Sequence, residues 1–187
     1  MKPRLVLASA SPRRQELLRN AGISFEVQAT NIPEIPQDGE APQVCAERLA
    51  HAKAEAVARE RPDDFVLGAD TIVLVDDQIL GKPRDEADAA RMLGLLSGRT
   101  HRVITGVCLI GPQFKVVRSE TTSVTMNPLT DEDIRSYVAT GEPMDKAGAY
   151  AIQGMASRWI PRIDGDYFNV VGLPVSLVWQ MLHAQEF

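Results

Sequence analysis

Apolar residues recur along this chain in two rhythms, continuous runs and helical stripes. The first run, Leu5-Val6-Leu7-Ala8, predicts a short strand. Behind it Ser11 is a good N-cap and Pro12 fits the first helical position, so a helix is expected to about Asn20, with Leu17 and Leu18 inward and Gly22 stopping it. Ile23 to Val27 predicts a second short strand, and the Pro-, Gly- and acid-rich residues 28–41 a loop. A helix is expected from Ala41 to about Arg61, bounded by Pro42 and Pro62, with Ala46, Leu49, Ala50, Ala56 and Val57 as its stripe. Phe65 to Val75 is apolar throughout except for Asp70 and Thr71, the pattern of a strand covered on both faces.

The later elements follow the same rules. Asp76-Asp77 read as a hairpin turn into Gln78 to Leu80, and Gly81 to Arg84 as a loop before a helix of about Asp85 to Leu96. Thr100 to Ile110 and Phe114 to Met126 predict a partly exposed antiparallel pair joined at Gly111-Pro112. Thr130, with Asp133 three residues on, opens a helix that ends before Gly141. Residues 141–154 are glycine-rich and polar, either a ligand-approaching segment or a compact loop closing a sheet. Trp159 to Ile163 and Tyr167 to Val171, around Asp164-Gly165-Asp166, suggest a final hairpin, and Gly172-Leu173-Pro174 opens a last helix to about His183. No repeat or linker divides the chain, so one α/β domain over 1–187 is expected.

Composition narrows the class. At 187 residues, 44% hydrophobic and 24% charged, this is an ordinary globular chain. A net charge of −5 disfavours nucleic acid and anionic membrane as partners. Cys45 and Cys108 lack metal or redox spacing and read as buried thiols in a reducing compartment. Met1-Lys2-Pro3-Arg4 ahead of Leu5 to Ala8 hints at a signal peptide, but Ser-Pro-Arg-Arg-Gln-Glu breaks the apolar run at once. A cytoplasmic protein is expected.

Four features carry chemistry. Arg13 and Arg14 sit at a helix N-terminus, where cations are unfavourable unless something anionic completes the site; the alternative is that both point to solvent. Asp70 inside an apolar strand is costly unless it is paired, metal-bound or opens into a cleft; otherwise it bonds nearby backbone. Lys53 lies on the stripe of its helix, either snorkelling or facing a phosphate site. Gln153 offers a donor and an acceptor to a base edge. Walker A, Rossmann, zincin and nucleophile-elbow motifs are absent, and His51, His101 and His183 stand singly. What remains is carboxylates, lysines and arginines, the toolkit of metal-assisted phosphoanhydride hydrolysis.

Ala8-Ser9-Ala10-Ser11-Pro12-Arg13-Arg14, Leu67-Gly68-Ala69-Asp70-Thr71, Gly81-Lys82-Pro83, residues 141–148, Gln153-Gly154 and Val171-Gly172-Leu173-Pro174 together resemble the Maf family, in order along the whole chain. The resemblance implies a nucleoside triphosphate pyrophosphatase with a fold related to inosine triphosphatase: a long twisted mixed sheet flanked by helices, with a nucleotide cleft. It further implies a homodimer using Mg²⁺ or Mn²⁺, and a family link to septum formation makes a non-catalytic regulator the rival reading. Arg13, Thr71 and Gln153 match the dTTP/UTP-cleaving branch. Asp70 is implied as proton acceptor, with Arg14, Lys53 and Lys82 on the phosphates. Glu34 takes the place of a carboxylate near the metal, beside Asp70, although Asn31-Ile32-Pro33 lacks the adjacent acid usual there.

Overall fold

The computed structural model describes residues 4–187; Met1-Lys2-Pro3, the start of the signal-like stretch, lies outside the described residues. Strand β1 (Leu5–Leu7) is fully buried and runs parallel to both β2 (Glu26–Val27) and β3 (Phe65–Val75). Residues that are apolar on both sides suit such doubly covered parallel strands. At its far end β3 turns through Asp76-Asp77 into the antiparallel β4 (Gln78–Leu80), with Asp76 in the left-handed region at φ 50°. Next come β5 (Thr100–Gly111) and β6 (Phe114–Thr125), and β7 (Arg162–Asp164) adds antiparallel to β6. The strand order is β2-β1-β3-β5-β6-β7 with β4 on β3, a seven-stranded mixed sheet as expected.

Among the described residues six α-helices accompany the strands: α1 (Pro12–Asn20), α2 (Pro42–Ala58), α3 (Glu86–Leu96), α4 (Asp131–Val138), α5 (Tyr167–Val171) and α6 (Val175–His183). Capping explains the starts of α1, α3 and α4. The hydroxyl of Ser11 faces the Arg14 amide at 3.5 Å, Asp85 accepts from the Asp88 amide, and Thr130 and Asp133 form a reciprocal capping box. Helix α2 ends at Ala58, short of Arg61, and the Arg59 and Arg61 amides donate back to the Glu55 and Val57 carbonyls in a last turn ahead of Pro62. Its buried face includes Cys45, Lys53 and Ala54, while Ala56 is only half-buried.

Two expectations fail. Residues 159–171 form no hairpin: the strand there, β7, pairs with β6 instead, and Tyr167–Val171 is helical. The cause is Asp166, whose carboxylate accepts from the Phe168 amide at 2.7 Å and the Asn169 amide at 3.4 Å and so starts a helix. Strand β5 is buried from Val103 to Leu109 rather than alternating; β6 is the partly exposed member.

The chain packs into two compact units. The first comprises residues 1–71, 105–120 and 172–187; the second comprises 72–104 and 121–171. Strands β3, β5 and β6 each contribute to both. In the first unit Val6, Ala8, Ala50, Ala54, Val57, Val66 and Cys108 form one core cluster. Helix α2 lies against the strands backbone to backbone. A Cβ on Gly68 would overlap the Ala50 carbonyl and stand 2.7 Å from the Ala54 amide, and one on Gly106 would overlap Ala46. Both cysteines are buried, and desolvation pushes their thiols up, to about 11 for Cys45 and about 12 for Cys108. In the second unit Tyr137 packs edge-on against Trp159, and buried His101 shares a 2.7 Å hydrogen bond with the Tyr150 hydroxyl. Burial pushes the His101 imidazole down to about 4. No helix among the described residues is long and apolar enough to cross a membrane.

Candidate active site

The centre of the first unit is built by the close contact of α2 with β3. Because Gly68 has no side chain, α2 lies near enough at Ala50 and Ala54 for Lys53 to reach Asp70, two residues further along β3. The Lys53 ammonium donates to Asp70 Oδ1 at 2.6 Å and to Glu34 Oε1 at 2.5 Å. Lys53 and Asp70 are both buried, and Glu34 is partly open to solvent. Lys53 therefore does not snorkel; its ammonium pairs with both carboxylates and offsets the cost of burying Asp70. Glu34 comes from the loop before α2, which Arg48 holds down: its guanidinium donates to both Glu40 oxygens at 2.6 and 2.8 Å and to the Ile35 carbonyl at 3.0 Å. That pairing holds the Glu40 carboxyl down at about 2.

Arg14 is not on the solvent side either. It is buried, and its guanidinium is directed inward. Nε donates to the Gly172 carbonyl at 2.8 Å. One terminal nitrogen donates to the Ala69 carbonyl at 2.9 Å and the Ser9 hydroxyl at 3.3 Å, and the other to Thr71 Oγ1 at 3.0 Å. This geometry does not fit the phosphate contact expected of Arg14, since four of five N–H donors are spent inside the protein. Burial lowers its pKa; the Asp70 and Glu34 carboxylates oppose that shift and Arg13 adds to it. The Thr71 hydroxyl is likewise engaged, lying 2.9 Å from Thr105 Oγ1 and 3.2 Å from the Gly172 carbonyl. Gly172 holds φ 131°, a conformation open to glycine. Arg13 is half-buried one residue before Arg14 in α1.

Lys82 and Gln153 belong to the second unit. Lys82 is exposed beside Gly81, whose carbonyl accepts from the Gly148 amide at 3.1 Å. Gln153 is exposed on a loop tied at both sides. The Ala151 amide donates to the Tyr137 hydroxyl at 3.1 Å, and the Met155 amide to Glu142 at 3.1 Å, while Tyr137 itself donates to Glu142 at 2.7 Å.

Sequence reasoning thus identified Asp70, Lys53 and Glu34, which the first unit brings together. It did not identify the supporting roles of Ser9, Thr105 and Gly172, nor the Arg48–Glu40 clamp. Gly68 and Gly106, each inside a strand pattern, were the available signals of a close backbone approach.

The family model described as Maf-like protein matches residues 4–185. The dTTP/UTP pyrophosphatase of Koribacter versatilis (strain Ellin345) is 60% identical over 178 residues, covering 95% of this chain and 92% of that protein. Its counterpart in Symbiobacterium thermophilum is 54% identical with the same coverage, and that of Geobacillus sp. (strain WCH70) is 51% identical over 92% of each chain. Among solved structures, a nucleoside-triphosphatase / dITP/XTP pyrophosphatase from Mycobacterium abscessus matches with a TM-score of 0.46 and 18% identity, over 67% of this chain and 75% of that one.

Proposed function

The chain belongs to the Maf-like protein family, and on that premise we propose that it hydrolyses UTP and dTTP to the nucleoside monophosphate and pyrophosphate. The observation that carries this reading is the buried Asp70 carboxylate held by Lys53 and neighboured by Glu34. Binding triphosphate calls for no buried proton acceptor, whereas hydrolysis needs a group that takes a proton from water, and the Asp70 carboxylate is placed to be it. Asp70 accepts that proton as the water oxygen bonds to the α-phosphorus, and the bond from this phosphorus to the α,β-bridging oxygen breaks with release of pyrophosphate. Lys53 holds Asp70 in place and supplies positive charge beside the reacting oxygens.

A divalent cation, Mg²⁺ or Mn²⁺, fits the donor set. Glu34 and Asp70 converge on one ammonium, which marks a point where two carboxylates already compensate a cation. Among the described residues no group of three or more His, Cys, Asp or Glu gathers. Two carboxylates, with phosphate and water supplying the rest, suit a hard cation of this kind. When bound it supplies Lewis-acid neutralisation of the phosphate oxygens.

Base choice rests on Gln153, whose amide has the donor and acceptor that the N3–H and carbonyls of uracil or thymine require; cytosine reverses part of that pattern. Mismatched hydrogen bonds cost roughly 1–3 kcal/mol each. The test is kcat/KM for UTP, dTTP, CTP and GTP with Mg²⁺, following pyrophosphate release. UTP and dTTP should lead by tenfold or more, and Gln153→Glu should erase that lead. Equal values for all four bases in the wild type would remove Gln153 as the reader.

A further inference from the structure

We infer that Arg14 is a positioning residue for Asp70, locking the strand on both sides of the carboxylate. The inference rests on the hydrolytic reading above and reassigns a residue that the motif pattern places on the phosphates. The donors of one guanidinium reach the Ala69 carbonyl, immediately before Asp70, and the Thr71 hydroxyl, immediately after it. Its Nε reaches Gly172, whose carbonyl also accepts from Thr71 at 3.2 Å, so α1, β3 and the turn before α6 are fastened at one point. Ser9 and Thr105 extend the fastening to the end of β1 and to β5.

The planar fork explains why arginine stands here. Its donors point in fixed directions and satisfy three elements at once, which a lysine ammonium on a flexible stem cannot do. Asp70 itself makes no hydrogen bond to Arg14; its charge is met by Lys53. Arg14 therefore acts on Asp70 through its two neighbours in the strand. A misplacement of about 1 Å in a reacting group costs on the order of a hundredfold in rate, so loss of the fork should appear in kcat.

The experiment is steady-state kinetics of Arg14→Lys on UTP with Mg²⁺, normalised to folded protein by circular dichroism. The positioning role predicts kcat lower by about 10- to 100-fold with KM within about threefold of wild type. A tenfold or larger rise in KM at preserved kcat would make Arg14 a phosphate ligand and overturn the inference. Unchanged kcat and KM would leave it a purely structural residue and overturn it equally. If Arg14→Lys does not fold, Thr71→Val decides, because it removes one acceptor at nearly constant volume; its kcat should fall at constant KM, and Thr71→Ser should restore it. If the wild type turns over no triphosphate, the hydrolytic reading fails and the carboxyl ¹³C resonance of Asp70 decides this one. A resonance shifted in Arg14→Lys supports positioning, and an unshifted one refutes it.

Discussion

Lys53 sits between two acids, and that placement decides what Asp70 can do. An unpaired carboxylate in a strand buried on both faces would be costly to desolvate; the ammonium at 2.6 Å offsets that cost and fixes one of its oxygens. Asp70→Asn keeps the shape and still offers an oxygen to Lys53, whose charge Glu34 continues to meet. The expected result is a folded protein with thermal unfolding shifted by a few degrees and kcat lower by about 10²- to 10⁴-fold. Near-normal turnover in a normally folded variant would remove Asp70 from the chemistry. At this scale the sequence was informative where a residue type clashed with its local pattern. Asp70 in an apolar run and Lys53 on an apolar stripe were both conspicuous, yet whether Lys53 snorkels or pairs depends on a residue 17 positions away. Arg14 could not be resolved this way, since its partners lie up to 158 positions along the chain and either surface or interior would have suited the local sequence.

Between elements, the contact that brings these residues together is made by what is missing. Gly68 lets α2 lie on β3, and the small Ala46, Ala50 and Ala54 continue that close surface over Gly68 and Gly106. A methyl at Gly68 collides with backbone of α2, which cannot step aside as a flexible side chain would. Gly68→Ala should therefore cost about 3 kcal/mol or more in urea unfolding and lower kcat by displacing Lys53. Gly94→Ala is the control: it lies in α3 with open space around it and should leave stability unchanged or raise it by up to about 1 kcal/mol. Equal stability of the two variants would contradict the packing account. Element types were legible wherever pattern and caps agreed, as in α1, α3 and α4. Tyr167 to Val171 misled because its β-forming residues were overridden by one side chain, the cap at Asp166.

For the molecule as a whole, the charge balance matters most. A chain of net charge −5 that takes a polyanionic substrate must gather its cations where the phosphates go. In the first unit Lys53 meets Glu34 and Asp70, and Arg14 is buried nearby with its donors on protein oxygens. The buried strands β1 and β3 were legible as apolar runs bounded by turns, while the mixed sheet as a whole followed from the family resemblance, and the division of packing into two units had no boundary in composition to mark it. The reaction itself is tested most directly by hydrolysis of UTP in ¹⁸O-labelled water with Mg²⁺, reading the products by mass spectrometry. Attack at the α-phosphorus predicts one ¹⁸O in UMP and none in pyrophosphate; label in orthophosphate, with UDP as the other product, would contradict the account.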